Sequence, residues 1–219
     1  MVFFDIIKTD RLVWGGALEL ETKARIIETA TALFQLKGYK GVGLNELLRE
    51  CNITKGSLYH HFPNGKEELL IACLHSLNES ITAQIEGIFA HYPSALEATT
   101  AMIDMLVGQY ENTGTITGYT VSSMVSEMAS LSDPVRAACA QLYQNTQAIY
   151  SQKLTADGFT ESSAQSLAVS LSAMVEGGMM LCLAQKSSEP LCIVSESLPK
   201  LLRRQMPDKN EENIHLVRY

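Results

Sequence analysis

Apolar residues recur at helical spacing through most of the chain, and no stretch alternates like a strand between turn signals. Ile26, Ile27, Ala30, Leu33 and Phe34 form a first seam, which Gly38 ends. Leu44, Leu47 and Leu48 predict a second, short helix. Cys51-Asn52-Ile53 then makes a tight turn, with Asn52 suited to a left-handed residue. Thr54 is positioned to cap a third helix, which Leu58 and Phe62, four apart, anchor on one side. Lys55, Ser57, Tyr59, His60 and His61 are left for the other sides. A small helix with a buried seam and donors elsewhere suits the reading of DNA, because phosphates and base edges both take such donors. Helix, helix, tight turn, helix is a helix-turn-helix.

The rest is helical almost to the end. The pattern predicts a long helix from Lys66 to about His91, stopped by Tyr92-Pro93. A helix near 94–111, a Gly/Thr loop at 112–118 and a short helix near 119–130 follow. Ser132-Asp133-Pro134 reads as a cap with Pro at the first helical position, opening a helix that Asp157-Gly158 stops. The stretch 162–185 is apolar all round, with Glu176 as its one charged residue. It is long enough to span a bilayer. Its serines and glutamines, and a central Glu that costs roughly 2–3 kcal/mol on insertion scales, argue against a membrane. A helix of this kind needs cover on every side. A partner subunit supplies that most simply, and Gly177-Gly178 would let another helix come close. The last helix, near 190–205, offers Leu191, Val194, Leu198, Leu201 and Leu202 as a seam.

Charge sharpens this division. The net charge of −7 excludes wholesale nucleic-acid binding, yet residues 21–66 carry seven basic residues against four acidic, a net +3. A basic head on an acidic body is expected when only the head meets DNA. The five cysteines are scattered and form no Cys-x-x-Cys pair, which fits a reducing, cytoplasmic setting and neither a disulfide framework nor a zinc site. The histidines form no helical metal pair, so neither a metal nor a cofactor is expected. No nucleophile–base pattern points to an enzyme.

The run Gly38-Tyr39 … Leu44-Asn45-Glu46-Leu47-Leu48 … Ile53-Thr54-Lys55-Gly56-Ser57-Leu58-Tyr59-His60-His61-Phe62 … Lys66-Glu67-Glu68-Leu69 resembles the DNA-binding domain of TetR-type repressors. Phe62-Pro63-Asn64-Gly65-Lys66-Glu67 is similar to the LmrA/YxaF-like branch, as are Val175-Glu176-Gly177-Gly178-Met179-Met180-Leu181 and Glu189-Pro190-Leu191. Val42 and Gly43 depart from the family, which often carries a hydroxyl there. Gly43 can cap a helix but offers no side-chain bond. Cys51 and Asn52 stand where Ala and Gly are usual.

The resemblance implies an all-α homodimer that binds double-stranded operator DNA and a small apolar inducer. It divides the chain into a helix-turn-helix domain at 19–65 and a ligand-binding and dimerisation domain at 66–205, whose last two helices pair with a partner's. Residues 1–18 read as an N-terminal arm or cloning remnant without the marks of a signal peptide, and 206–219 as a polar tail. The DNA-facing set is Lys55, Gly56, Ser57, Tyr59, His60 and Lys66. Lys55 and Ser57 would meet base edges; Tyr59, His60 and Lys66 would meet the phosphate backbone. Methionine and tyrosine in the body suit an adaptable apolar surface as well as an ordinary core. The candidate cavity lining is Met102, Tyr110, Met124, Tyr143, Met174 and Cys182. Glu176 would orient a polar or cationic ligand, cap a backbone gap or pair across the dimer. A second reading keeps the head and makes Cys73, Cys139 or Cys182 a redox-sensing thiol.

Overall fold

The computed structural model describes the backbone of residues 4–114, 116, 127 and 132–203, and the side chains among them from Leu20 onward. The expected helix near 119–130, with Met124, and the tail at 206–219 lie outside the described residues. Among the described residues there are eight helices and no strand. They are α1 (Phe4–Lys37), α2 (Leu44–Glu50), α3 (Lys55–His61), α4 (Lys66–His91), α5 (Ala95–Thr113), α6 (Asp133–Ala156), α7 (Glu161–Gln185) and α8 (Glu189–Arg203). Residues 4–18 continue α1 rather than forming a separate arm.

The helices form two compact units, one of residues 1–77 and 123–138, the other of 78–122 and 139–219. The division falls within α4 and α6, not at Lys66. Leu69, Leu70, Cys73 and Leu74 are buried, and the Cys73 thiol donates to the Ile27 carbonyl of α1 at 3.5 Å. The start of α4 is therefore part of the head's core.

In the first unit, Ile26, Ala30, Phe34, Val42, Leu47, Leu58 and Phe62 are almost fully buried. The backbone between these anchors is tightly specified. Gly38 takes φ +72° and donates to the Phe34 carbonyl at 3.0 Å, which ends α1. Asn52 takes φ 51°, and the Thr54 hydroxyl accepts from the Ser57 N–H at 3.1 Å. Gly43 caps α2 without a side-chain bond. Ser132 stands at the start of α6, where its carbonyl accepts from the Arg136 N–H at 3.0 Å, and its hydroxyl donates to Glu67 Oε1 at 2.6 Å.

In the second unit, Ser94 and Thr160 cap α5 and α7, accepting from Glu97 and Ser163 N–H groups. Asp157 stops α6, and its carboxylate also accepts from the Ala95 N–H at 2.6 Å. The expected seam of α8 packs within the chain, against α5 and α7. Gly178 is why α7 and α8 come so close: a Cβ there would stand 2.8 Å from Leu191 Cδ2. The two glycines therefore differ from the single role expected of them. Gly178 serves a contact inside the chain, whereas Gly177 is exposed with nothing near it. Gly177 lies on an exposed stripe with Val169, Ala173, Met180, Leu181 and Ala184, so one chain leaves α7 uncovered on that side.

Candidate nucleic-acid interface and ligand cavity

Leu58 lies wholly inside the head and turns the opposite side of α3 outward. Lys55, Gly56, Tyr59 and His60 are exposed, and Ser57 is half-buried with its N–H on Thr54. The Lys55 ammonium stands 5.9 Å from the Tyr59 ring centre, so these two extend along the same side. Five of the six expected DNA-facing residues thus lie together on one short element. Lys66 differs. It is half-buried, its ammonium donates to the Tyr39 carbonyl, and it sits 3.9 Å from the Tyr39 ring centre and 5.7 Å from that of Phe34. Burial lowers its pKa, while the Glu127 carboxylate opposes that shift. The Lys66 side chain is thus engaged within the head, at the start of α4.

The second unit holds a cavity of about 100 Å³, walled by α4, α5, α6 and α7. Of the expected residues, Met102, Tyr143 and Glu176 line it. Tyr110, Met174 and Cys182 do not. Ser172, Val175, Glu176 and Met179 share the inward side of α7, and Met174 is turned away from it. Cys182 continues that side but lies beyond the cavity, near the Leu191 backbone. Tyr110 lies two turns past Met102 on α5 and packs against the core. The missed residues include Met105, Met179, Tyr150 and Gln84. Tyr150 stacks on Phe89 at 5.1 Å and donates its hydroxyl to the Met102 sulfur at 3.3 Å. Gln84 donates to the Met105 sulfur, also at 3.3 Å. Burial pushes the Tyr150 phenol well above its ordinary range, and the Glu176 charge adds to that. The cavity is an apolar space with thioethers and phenols on its wall and one carboxylate at its edge.

Cys51, Cys73, Cys139 and Cys182 are buried, and Cys192 is exposed. Desolvation raises the pKa of each buried thiol, that of Cys73 to about 12. Among the described residues, no group of three or more His, Cys, Asp or Glu side chains is arranged for a metal ion. α7 is long and apolar enough to cross a membrane, and 44% of its apolar window is buried inside the chain.

Residues 26–73 match the tetR family of bacterial regulatory proteins, and 95–197 match the C-terminal domain of LmrA/YxaF-like transcriptional regulators. Over 184 residues the chain is 36% identical to the HTH-type transcriptional regulator YxaF of Bacillus subtilis (strain 168), covering 84% of this chain and 96% of that one. This chain belongs to the TetR family. LmrA from the same strain, another HTH-type transcriptional regulator, is 37% identical over 184 residues, with 84% and 98% covered. Two solved structures share the fold. The reduced form of Escherichia coli NemR has a TM-score of 0.72 at 24% identity, covering 83% and 97% of the two chains. A TetR transcriptional regulator from Chloroflexus aurantiacus has a TM-score of 0.73 at 22% identity, covering 86% and 98%. The TetR-family chain described here is a DNA-binding transcriptional regulator of the repressor type, and the matched families are regulators rather than enzymes.

The shared place of the α3 residues on one short helix follows from their being neighbours in sequence. The cavity set was harder to find, because its residues come from four helices between Ile81 and Met179. One signal was available for α7: Ser172, Val175, Glu176 and Met179 follow a single helical stripe.

Proposed function

We propose that this TetR-family chain is a homodimeric, cytoplasmic repressor released from its operator by a small apolar molecule held in the cavity of the second unit. The observation that carries the reading is the pairing of an exposed, donor-bearing α3 with an apolar cavity in one chain. α4 begins at Lys66 in the head and supplies Ile81, Gln84 and Ile85 to the cavity wall. It is the direct covalent route between them. The inducer must bind the DNA-incompetent state better than the competent one, since equal affinity would shift nothing. A tenfold loss of operator affinity needs about 1.4 kcal/mol of such coupling.

The size of the cavity narrows the inducer. At about 100 Å³ it is smaller than the roughly 150 Å³ apolar cavity that accepts benzene. A single ring is therefore the upper limit, reached only as the flexible methionines of the wall give way, with its one polar or cationic group towards Glu176. Dimerisation rests on the uncovered stripe of α7, whose Val169 and Leu181 are 54% and 49% exposed. The redox alternative is disfavoured, because four of the five thiols are buried and held protonated, whereas reactive thiols are exposed and acidic.

The test begins with duplexes selected by the protein from a random pool. Lys55→Ala should relax preference at one or two positions by about 1–3 kcal/mol each. A uniform loss across all duplexes would reassign Lys55 to the backbone. A panel of single-ring apolar compounds, neutral and cationic, is then screened by thermal shift and by duplex release. Binders that never release DNA would refute the inducer reading, and release by peroxide alone would restore the thiol sensor.

A further inference from the structure

The turn between α1 and α2 is held from outside the helix-turn-helix. Glu127, 88 residues beyond Tyr39, accepts from the Tyr39 N–H through Oε2 at 3.1 Å and from the Lys40 N–H through Oε1 at 2.7 Å. Both carboxylate oxygens are therefore used on consecutive backbone donors. The turn is shaped to receive them: Gly38 is left-handed, and a Cβ on it would stand 3.1 Å from Glu127 Oε2. The same turn carries the Tyr39 carbonyl that takes the Lys66 ammonium. A second tie lies close by in sequence, from the Ser132 hydroxyl to Glu67 in the first turn of α4.

Residues 123–138 accordingly belong to the head's compact unit. Yet in sequence they lie between α5 and the length of α6 that walls the cavity. α5 contributes Met102, Met105 and Leu106, and α6 contributes Leu142, Tyr143, Thr146 and Tyr150. Glu127 and Ser132 thus lie, in sequence, on the stretch of chain that joins α5 to α6.

We propose that Glu127 is a positioning residue for DNA binding, which sets the α1–α2 turn and through it the orientation of α2 and α3. The proposal rests on the DNA-binding reading of the head. It adds to α4 a second covalent route by which the cavity reaches that head. An ionised carboxylate on two backbone donors is among the stronger hydrogen-bonding arrangements, and an uncharged side chain at Glu127 cannot reproduce it. Gln keeps the size and one acceptor oxygen but offers an N–H₂ group to the second donor.

The test compares wild type with Glu127→Gln, Glu127→Ala and Ser132→Ala, using full-length chains and a duplex selected by wild type from a random pool. Amide hydrogen exchange is followed at Tyr39 and Lys40 and across α2 and α3. Glu127→Gln should speed exchange at Tyr39 and Lys40, leave Leu58 and Phe62 protected, and weaken duplex binding roughly tenfold. Glu127→Ala should do the same more strongly, and Ser132→Ala less. Wild-type exchange and affinity in Glu127→Gln would overturn the proposal. So would faster exchange spread evenly over the head, which marks a purely structural contact. If wild type selects no duplex, the DNA-binding reading fails, while exchange at Tyr39 and Lys40 still reports on the contact by itself.

Discussion

The head and the body solve opposite problems with the same element. The head uses helices of seven residues, α2 and α3, each fixed by one fully buried leucine, and turns its chemistry outward. The body uses helices of 15 to 26 residues and turns its chemistry inward, onto a cavity shared by four of them. A convex site on a short helix stands or falls with one anchor. A concave site with many lining residues can lose one and keep its shape. Single substitutions should therefore act abruptly in the head and gradually in the body.

Leu58→Ala gives the largest effect. It should cost about 2–5 kcal/mol, the range for truncating a buried leucine. Hydrogen exchange should show α2 and α3 opening while α7 stays protected; equal loss in both units would mean they do not respond separately. Gly178→Leu follows, at about 1–3 kcal/mol for overpacking against Leu191 and Val194. Gly177→Ala should instead raise stability by up to about 1 kcal/mol, as an exposed helical glycine with open space around it. Melting temperatures of the two variants check that contrast. On the same outer stripe, Leu181→Glu should yield helical monomers in light scattering, and an unchanged dimer would move the interface elsewhere.

Smaller effects probe the cavity and the thiols. Ser172→Leu should fill the cavity, cost no more than about 1–3 kcal/mol and abolish binding of single-ring compounds in calorimetry. Met174→Trp should leave that binding intact, because Met174 does not line the cavity. The Cys73 thiol has a folded pKa raised above its ordinary value, to about 12, so its contribution is fully present below about pH 9. That contribution is lost as pH rises from there towards 12. Alkaline unfolding of Cys73→Ala should therefore be less steep than that of wild type.

Much of the head was legible in sequence because its signals are local. Gly38, Asn52 and Thr54 act within a few residues of themselves, and each does what its backbone chemistry dictates. The partners of the Lys66 ammonium were not legible, since Tyr39 and Phe34 lie about thirty residues away. Ser132 and Glu127 belong to the same class: one carries a cap signal that says nothing of Glu67, and the other had no local signal. In the body, the helices followed from periodicity, but periodicity alone did not say which methionines look inward. Met174 and Met179 face about 140° apart on the helix, and only packing decides between them.

The cavity wall carries three methionines, Met102, Met105 and Met179, from two helices. An unbranched thioether can be trimmed without disturbing the backbone, so the sensor space is open to redesign one side chain at a time. Each trimming to alanine leaves a void that weakens the chain, and a compound of the right shape restores what was lost. Folding of such a variant would depend on its guest. A library of trimmed chains held near their melting limit would sort itself by the compounds that keep each one folded.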